Sequence, residues 1–351
     1  MQKNEVLPPR SDRLAVLDVA KGIGMVFVVF AHVNYTPILL KLIYSFHMPL
    51  FFVLAGMVFQ REKYPSVGAF LKRRWKGLVL PYLAFSVISI GYVFVSEKIW
   101  AAAEDLSREE YLQAFLQIIL AQGSKPVLNT PLWFVPCLLA VEILYFGISG
   151  HKRSVVIPVC VLLMGLGWLL ESGLLPFDNT KLPWTLDSAL FALGFYASGN
   201  LLAPWLRKTI TSIREHPKRN LLCLAVITGC LILWLPLTLL NGKVSLGSRE
   251  LNNGILLYLT GMLGTFAVLA VSILLEKCRP LIFLGTNTFC IMSVHYLIRK
   301  FMIPKYYVML GIAKYKSKSL RETVIPFLIV LALTVLVALA YDRIFHRKQK
   351  K

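Results

Sequence analysis

The sequence is dominated by apolar segments that are each long enough to cross a lipid bilayer and that follow one another with short polar connections. About 20 apolar residues in a helix span the roughly 30 Å hydrocarbon core of a membrane. Within that core the backbone must satisfy its own hydrogen bonds, and segments of this length do so as helices. We therefore predict an all-α integral membrane protein of about ten transmembrane helices, near residues 14–36, 43–60, 78–97, 131–149, 154–171, 184–204, 221–240, 254–275, 281–298 and 323–342.

The composition excludes an ordinary soluble domain. Hydrophobic residues make up 57% of the 351-residue chain and charged residues only 16%, whereas a soluble protein needs more polar surface to cover its core. We interpret residues 1–351 as a single polytopic membrane domain with short tails at about 1–13 and 343–351. The segment 109–121 is too short and too polar to span a bilayer, and we expect it to form an amphipathic helix at the membrane surface.

The distribution of Lys and Arg predicts the orientation in the membrane, since cytoplasmic loops are enriched in both residues. With both termini in the cytoplasm, the cytoplasmic segments carry 23 of these residues and the outer segments carry 14. Half of the Lys and Arg residues in the outer segments lie in one segment, 299–322. This segment breaks the rule, and the predicted orientation does not explain it. We predict a multi-pass protein of the inner (plasma) membrane with both termini cytoplasmic.

The net charge of +20 would suggest nucleic-acid binding in a soluble protein. In this chain the basic residues lie on short loops beside apolar segments, where membrane topology and anionic lipid headgroups account for them. We therefore expect the lipid bilayer, and no nucleic acid, as a partner. The six cysteines include no CxxC pair and none in a predicted outer loop, so we expect neither a structural disulfide nor a metal site.

Ionisable side chains within the apolar segments are the candidates for chemistry, because burying them in a membrane costs free energy. Asp18, Lys21 and His32 of the first segment lie on one stripe of a helix. A local ion pair explains Asp18 and Lys21, whereas His32 lies about 16 Å beyond Lys21 towards the outer side. His47 and His295 also lie within apolar segments, and an imidazole suits general base catalysis.

Other polar side chains have simpler structural explanations. Glu142 and Asp187 lie in the fourth and sixth segments, and Asp187 suits the first turn of its helix. The basic cluster at residues 72–76 is more often a determinant of topology than a phosphate site, and a histidine within a membrane often only hydrogen-bonds a neighbouring helix. Residue types alone therefore leave both a membrane enzyme and a transporter open.

Six motifs, spread in order over nearly the whole chain, carry a resemblance to a known family. LDVAKGIGMVFVVFAHV contains a basic residue, ten residues and a histidine, at Lys21 and His32, and SFHMPLFF follows at 45–52. The others are RRWKGLVLPY, PLWFVPCLLAV, LDSALFALGFYASGNLL and GTNTFCIMSVHYLI. Together they resemble the membrane acyltransferase-3 family, most closely its branch related to fucose 4-O-acetylase. Ala55 replaces a serine of many members, and Arg73 with Lys76 only approximates the family's pair of arginines.

The resemblance implies a membrane-bound O-acyltransferase, in the first instance an O-acetyltransferase, that moves an acyl group from cytoplasmic acyl-CoA to a hydroxyl of a sugar or glycan. Acetyl-CoA would be the donor and co-substrate. Its phosphates would bind to the cationic side chains of Arg73, Arg74 and Lys76. Its thioester arm would pass Lys21. Glycan-assembly proteins would be natural partners of such an enzyme.

The same resemblance implies roles for the histidines. His32 would take the proton of the acceptor hydroxyl, or would itself carry the acyl group in a relay. His47 and His295 would orient His32 or bind the sugar. Three further polar residues remain as substrate-contacting or structural groups, namely Asp18, Glu142 and Asp187. The alternative function is transport of a small polar solute or glycan intermediate, although the internal repeats common in transporters are absent from the sequence.

Overall fold

The computed structural model describes residues 12–33, 36–99, 106–122, 128–172, 182–248, 250–309 and 320–345. These residues form fourteen α-helices joined by short 3₁₀ and π turns, and their only β-type pairing is an isolated bridge between Ser245 and Glu250. The α-helices are α1 (Asp12–Val33), α2 (Pro37–Tyr44), α3 (His47–Val58), α4 (Val67–Arg74), α5 (Leu80–Ile99), α6 (Arg108–Leu120), α7 (Phe134–Ile148), α8 (Arg153–Glu171), α9 (Leu186–Glu215), α10 (Arg219–Asn241), α11 (Gly254–Leu274), α12 (Arg279–Thr286), α13 (Thr288–Met309) and α14 (Leu320–Phe345).

The helices confirm the predicted fold class. Over the described ranges, nine helical spans are long and apolar enough to cross a membrane, and the bent pair of α12 and α13 makes a tenth when it is counted as one span. The chain is therefore an all-α integral membrane protein with about ten transmembrane helices, as its apolar segments predict.

Four of the predicted segments differ from the observed helices. The third begins at Val67 rather than at 78, and the sixth extends to Glu215 rather than to 204. The second begins earlier than predicted, at Pro37, where α2 starts and leads into α3. The ninth, predicted as one helix over 281–298, is wrong in that respect, because α12 and α13 meet at an angle of 86°. The side-chain amide of Asn287 at the bend donates a hydrogen bond of 3.0 Å to the carbonyl oxygen of Phe283, which helps to close the last turn of α12.

A close contact between α1 and α12 fixes where α13 begins. A Cβ atom on Gly22 would collide with the carbonyl oxygen of Leu281, and one on Gly285 would collide with the carbonyl oxygen of Asp18. Small residues at such points let two helix backbones approach closely within a membrane. Because α12 is held against α1 in this way, α13 also starts beside α1 and packs along it.

A second close contact joins α3 to α9. A Cβ atom on Gly56 would collide with the carbonyl oxygen of Tyr196, and one on Gly199 would collide with that of Val53. The side-chain amide of Asn200 donates a hydrogen bond of 3.1 Å to the carbonyl oxygen of Gly56, which also accepts the backbone amide of Phe59 at the end of α3. These contacts hold α3, and with it His47, in a fixed position relative to the long helix α9.

The segment predicted as a helix at 109–121 forms α6. Its start carries a capping box in which the side chains and backbone amides of Ser107 and Glu110 bond one another. The hydroxyl of Tyr82 donates a hydrogen bond of 2.9 Å to the carbonyl oxygen of Ile118, which ties α6 to α5. Its exposed apolar side chains follow helical spacing and form one stripe suited to a membrane interface, made of Leu112, Phe115, Leu116 and Ile119.

Candidate active site

A cavity of about 340 Å³ opens between α1, α3, α7 and α13, a volume at the lower end of the roughly 300–1,000 Å³ of small-ligand sites. Along α1 its lining runs from Met25 to His32, about 10 Å of helix. Most of the lining side chains are apolar. They are Met25, Val28, Met48, Phe51, Leu78, Pro131, Trp133, Phe134, Val135, Leu138, Leu246, Phe289 and Met292, joined by His32, Tyr44, His47, Gly77, Thr130, Ser245, Gly247, Ser248 and Thr288.

Two of the three predicted histidines, His32 and His47, line this cavity. In each ring Nδ1 lies 2.8 Å from a carbonyl oxygen one turn earlier, that of Val28 for His32 and that of Ile43 for His47. A carbonyl oxygen only accepts hydrogen bonds, so Nδ1 must carry the proton in both rings. In the neutral imidazole this leaves a lone pair on Nε2, which is the form that a general base requires.

His295 lies directly beside His32 but does not line the cavity. The centroids of the two rings are 5.0 Å apart and the planes are nearly perpendicular, at 77°. His295 is completely buried, and its Nδ1 lies 2.9 Å from the carbonyl oxygen of Ile291. Among the described residues its Nε2 atom has no hydrogen-bond partner. The structure thus brings His295 against the ring of His32 but outside the cavity lining.

Aromatic rings hold the cavity histidines from the sides. The ring of Tyr44 meets that of His47 edge to face at 5.0 Å, and the ring of Tyr296 meets that of His32 in the same manner at 5.8 Å. Each pair joins different helices, α2 with α3 and α13 with α1. Such edge-to-face contacts are favourable, and they restrict the directions in which the two Nε2 atoms can point.

One wall of the cavity belongs to the stretch of chain that carries the predicted basic cluster. Gly77 and Leu78 line the cavity and lie in a π-helical turn, Trp75–Val79, between α4 and α5. Turns of this kind are rare and often occur at functional sites. Arg73 and Lys76 lie just before these lining residues, and both side chains are exposed. The two cationic residues and these lining residues are therefore adjacent along the chain.

Arg74 has a different environment from Arg73 and Lys76. Its Nε atom lies 2.7 Å from Oε2 of Glu142 on α7, in an ion pair whose side chains are 18% and 7% exposed. The guanidinium of Arg74 also lies over the rings of Tyr64 and Phe70, at 5.5 and 5.3 Å. Arg74 and Glu142 are therefore paired with each other. Arg73 and Lys76 are the exposed members of the basic cluster that is predicted to bind the donor.

The remaining predicted polar residues lie away from the cavity. Nζ of Lys21 is 2.8 Å from Oδ1 of Asp18, the local ion pair expected from their spacing, and neither residue is part of the cavity lining. Asp187 is fully buried in the first turn of α9, where its carboxylate accepts hydrogen bonds from the backbone amides of Leu182 (3.3 Å) and Ser188 (2.9 Å). Its position matches the structural explanation, that of a carboxylate at a helix start.

The sequence did not point to the part of the lining formed outside the long helices. The 3₁₀ turn Thr130–Trp133 and residues 245–248 contribute hydroxyls and an indole ring to the cavity. Trp133 packs against Gly247, where an added Cβ atom would lie 2.6 Å from the indole, so the two segments form one surface. Trp133 belongs to the motif PLWFVPCLLAV, but no pattern in the sequence predicts that it contacts the distant Gly247.

Comparison with known proteins places the chain in a family. No curated protein and no solved structure matches it. A model of the acyltransferase-3 family, described as an acyltransferase domain, matches residues 14–343. This match covers every helix that lines the cavity and supports an enzyme rather than the alternative of a transporter. The chain belongs to the acyltransferase-3 family and is a multi-pass membrane acyltransferase.

Proposed function

We propose that the protein transfers an acyl group, in the simplest case acetyl, from acyl-CoA to a hydroxyl of a sugar or glycan, and that His32 is its general base. The observation that carries the proposal is the setting of His32. Its ring lines the cavity, its Nδ1 atom is held by the carbonyl oxygen of Val28, and its Nε2 atom is thereby left with the lone pair.

The reaction needs few groups beyond this base. Nε2 of His32 takes the proton of the acceptor hydroxyl while the hydroxyl oxygen attacks the carbonyl carbon of the thioester. The C–S bond then breaks, and the proton passes from the imidazolium to the departing thiolate of coenzyme A. In the relay form of the reaction Nε2 attacks the thioester carbonyl carbon, and the C–S bond breaks to release the thiolate of coenzyme A. The hydroxyl oxygen then attacks the acyl carbon of the acyl-imidazole, the C–N bond breaks, and the hydroxyl proton passes to the thiolate. We assign to His47, which lines the same cavity, the role of orienting the acceptor or the thioester.

Donor binding is assigned to the basic stretch before the π-helical turn. Arg73 and Lys76 are exposed, and cationic side chains form strong charge-assisted hydrogen bonds with phosphates. The apolar lining that follows, with Leu78, Phe134 and Met25, suits the uncharged arm and the acyl group of the donor. On the predicted topology this stretch faces the cytoplasm, the side from which acyl-CoA would reach the protein.

The acceptor is assigned to the part of the cavity that carries hydroxyl groups. The hydroxyls of Thr130, Ser245 and Ser248, together with the indole of Trp133, lie in its lining. Hydroxyls that exchange hydrogen bonds with a sugar, and an aromatic face that covers its C–H groups, are what a carbohydrate requires of a site. On the predicted topology the connection that carries Ser245 and Ser248 lies on the outer side, together with the cell-surface glycans.

The proposal is tested by acyl transfer with purified protein in lipid discs, using radiolabelled acetyl-CoA and a panel of sugars. The variant His32→Gln removes the base and should lower transfer at least a hundredfold, within the range of general base catalysis. His151→Gln is the matched control, because His151 is exposed on the connection between α7 and α8. If His32→Gln is inserted normally and transfers acetyl as fast as the wild-type protein, His32 is not the base.

A further inference from the structure

The connection between α9 and α10 forms an open pocket of about 520 Å³ that shares no lining residue with the cavity of the candidate active site. Its lining is basic and contains Arg214, Lys218 and Arg219, with His216 as a further polar residue. No Asp or Glu belongs to the lining that the structure describes, and the exposed Glu215 lies outside it. Membrane topology accounts for basic residues in a connection, but it does not require that they line one pocket.

A single carboxylate fixes the two arginines of this pocket. Oε2 of Glu276 accepts a hydrogen bond of 2.6 Å from Nε of Arg214, and Oε1 accepts one of 3.2 Å from a terminal nitrogen of Arg219. Because Glu276 follows α11, the bridge joins the end of α9, the start of α10 and the end of α11. Two guanidinium charges face one carboxylate charge, so the bridge stays positive, and each guanidinium has further N–H donors besides the one that bonds Glu276.

Lys218 and His216 add donors of a different kind to the pocket. The side chain of Lys218 is exposed, and its backbone amide donates a hydrogen bond of 3.1 Å to Nδ1 of His216. The neutral ring of His216 therefore carries its proton on Nε2, which is a donor. Guanidinium and ammonium groups both form strong hydrogen bonds with phosphate, and arginines that are already fixed lose less freedom when a ligand binds. The pocket therefore suits a phosphate group.

The pocket opens where an exposed apolar face of α10 begins. Leu221 belongs to the pocket lining and is itself 61% exposed. Leu224, Leu235 and Leu239 are also exposed and continue the same face at helical spacing. On the predicted topology the pocket lies at the cytoplasmic surface of the membrane, where anionic lipids are present, and the apolar face extends from it into the bilayer. A ligand that has a phosphate at one end and apolar chains at the other matches both features.

We propose that this pocket binds the phosphate of an anionic phospholipid whose acyl chains lie along the exposed face of α10. The site is independent of acyl transfer, because none of its residues takes part in the proposed reaction. Since the pocket is formed by residues held together by the bridge to Glu276, the bound lipid also stabilises the packing of α9, α10 and α11. A ligand that binds only the folded state stabilises that state.

The proposal is tested by lipid binding to the purified full-length protein in detergent, measured by native mass spectrometry. The first bound dioleoyl phosphatidylglycerol should bind about tenfold or more tightly than dioleoyl phosphatidylcholine, whose headgroup has no net charge, because charge-assisted hydrogen bonds strengthen binding. Lys218→Gln with Arg219→Gln should lose most of this preference, while Glu276 keeps its bond to Arg214. Lys218→Gln alone leaves the bridge intact and should weaken binding of phosphatidylglycerol about fivefold.

The matched control is Lys152→Gln with Arg153→Gln, which removes the same charge from two exposed residues at the start of α8, outside this pocket. Retained preference in this control, with loss in Lys218→Gln with Arg219→Gln, supports the site. Equal loss in both double variants would show a general attraction of anionic lipids by basic connections and would overturn the proposal. Equal binding of the two lipids by the wild-type protein would overturn it as well. Displacement of phosphatidylglycerol by an equal concentration of glycerol 3-phosphate would identify a soluble phosphate ligand and refute the lipid.

Discussion

The imidazole rings of His32 and His295 meet edge to face with their centroids 5.0 Å apart, although the two residues belong to opposite ends of the chain. His32 lines the cavity, and His295 is completely buried outside the lining. We therefore propose that His295 positions the His32 ring for the proposed reaction. Its ring contact limits the tilt of the His32 imidazole, while the backbone carbonyl of Val28 fixes the tautomer.

The role of His295 can be separated from simple loss of packing. His295→Ala should lower kcat for acyl transfer about tenfold or more with little change in the KM for donor, because misplacing a catalytic group by even 1 Å is costly. His295→Phe keeps an aromatic edge against His32 and should recover most of the rate. Steady-state kinetics of both variants, at equal thermal stability, provide the measurement. A phenylalanine variant as inactive as the alanine variant would show that Nε2 matters, rather than the ring contact.

The Arg74–Glu142 ion pair predicts a stability effect that is unrelated to donor binding. Arg74→Met leaves the buried carboxylate of Glu142 without its cation and should cost about 3–5 kcal/mol. Combining it with Glu142→Leu removes both charges and should restore most of that loss. Thermal unfolding in detergent measures the cycle, with Arg73→Met as an exposed control expected to change stability by no more than about 0.5 kcal/mol. An Arg74→Met protein as stable as wild type would exclude a structural role for the pair.

Arg73 and Lys76 are exposed cations assigned to the donor, so we expect their replacement to change the KM for acetyl-CoA alone. Arg73→Gln with Lys76→Gln should raise the KM for acetyl-CoA about tenfold and leave the KM for the sugar unchanged, because each lost charged hydrogen bond to a phosphate weakens binding. The wild-type KM for the donor should also rise with salt concentration, and the double variant should have lost most of this dependence. Unchanged donor kinetics at low salt would place the phosphates elsewhere.

The contact of α3 with α9 predicts a contrast between two glycines. Gly56→Ala places a methyl group against the carbonyl oxygen of Tyr196, and the helices must separate, at a cost of about 1–3 kcal/mol for such overpacking. Gly229→Ala, in α10, meets no atom within 4 Å and should be neutral or stabilising by up to about 1 kcal/mol, the gain of alanine over glycine in a helix. Thermal unfolding of the two variants tests the contrast, and equal stability would contradict it.

The sequence predicts those features that depend on local composition. The apolar segments identify the spans, and the cost of an ionisable group in lipid singles out His32 and His47, which the structure places in one cavity. The bend between α12 and α13 is not among these predictions, although the polar run 285–288 interrupts the apolar residues there; at the bend Gly285 lies against the carbonyl oxygen of the distant Asp18. The same holds for Arg74, whose partner Glu142 lies 68 positions further along the chain.

The π-helical turn Trp75–Val79 has a consequence for how this chain tolerates insertions and deletions. A wider turn accommodates one residue more than an α-helix does, and each residue of a helix corresponds to a rotation of about 100°. Deleting a single residue within the turn would restore a regular α-helical turn and leave the directions of the side chains on α4 and α5 nearly unchanged. A deletion elsewhere in α4 would instead rotate the residues before it, and with them Arg73 if it lies before the deletion, by about 100°. We therefore expect the span Val67–Ser96 to tolerate the loss of one residue better at this turn than at any other point along it.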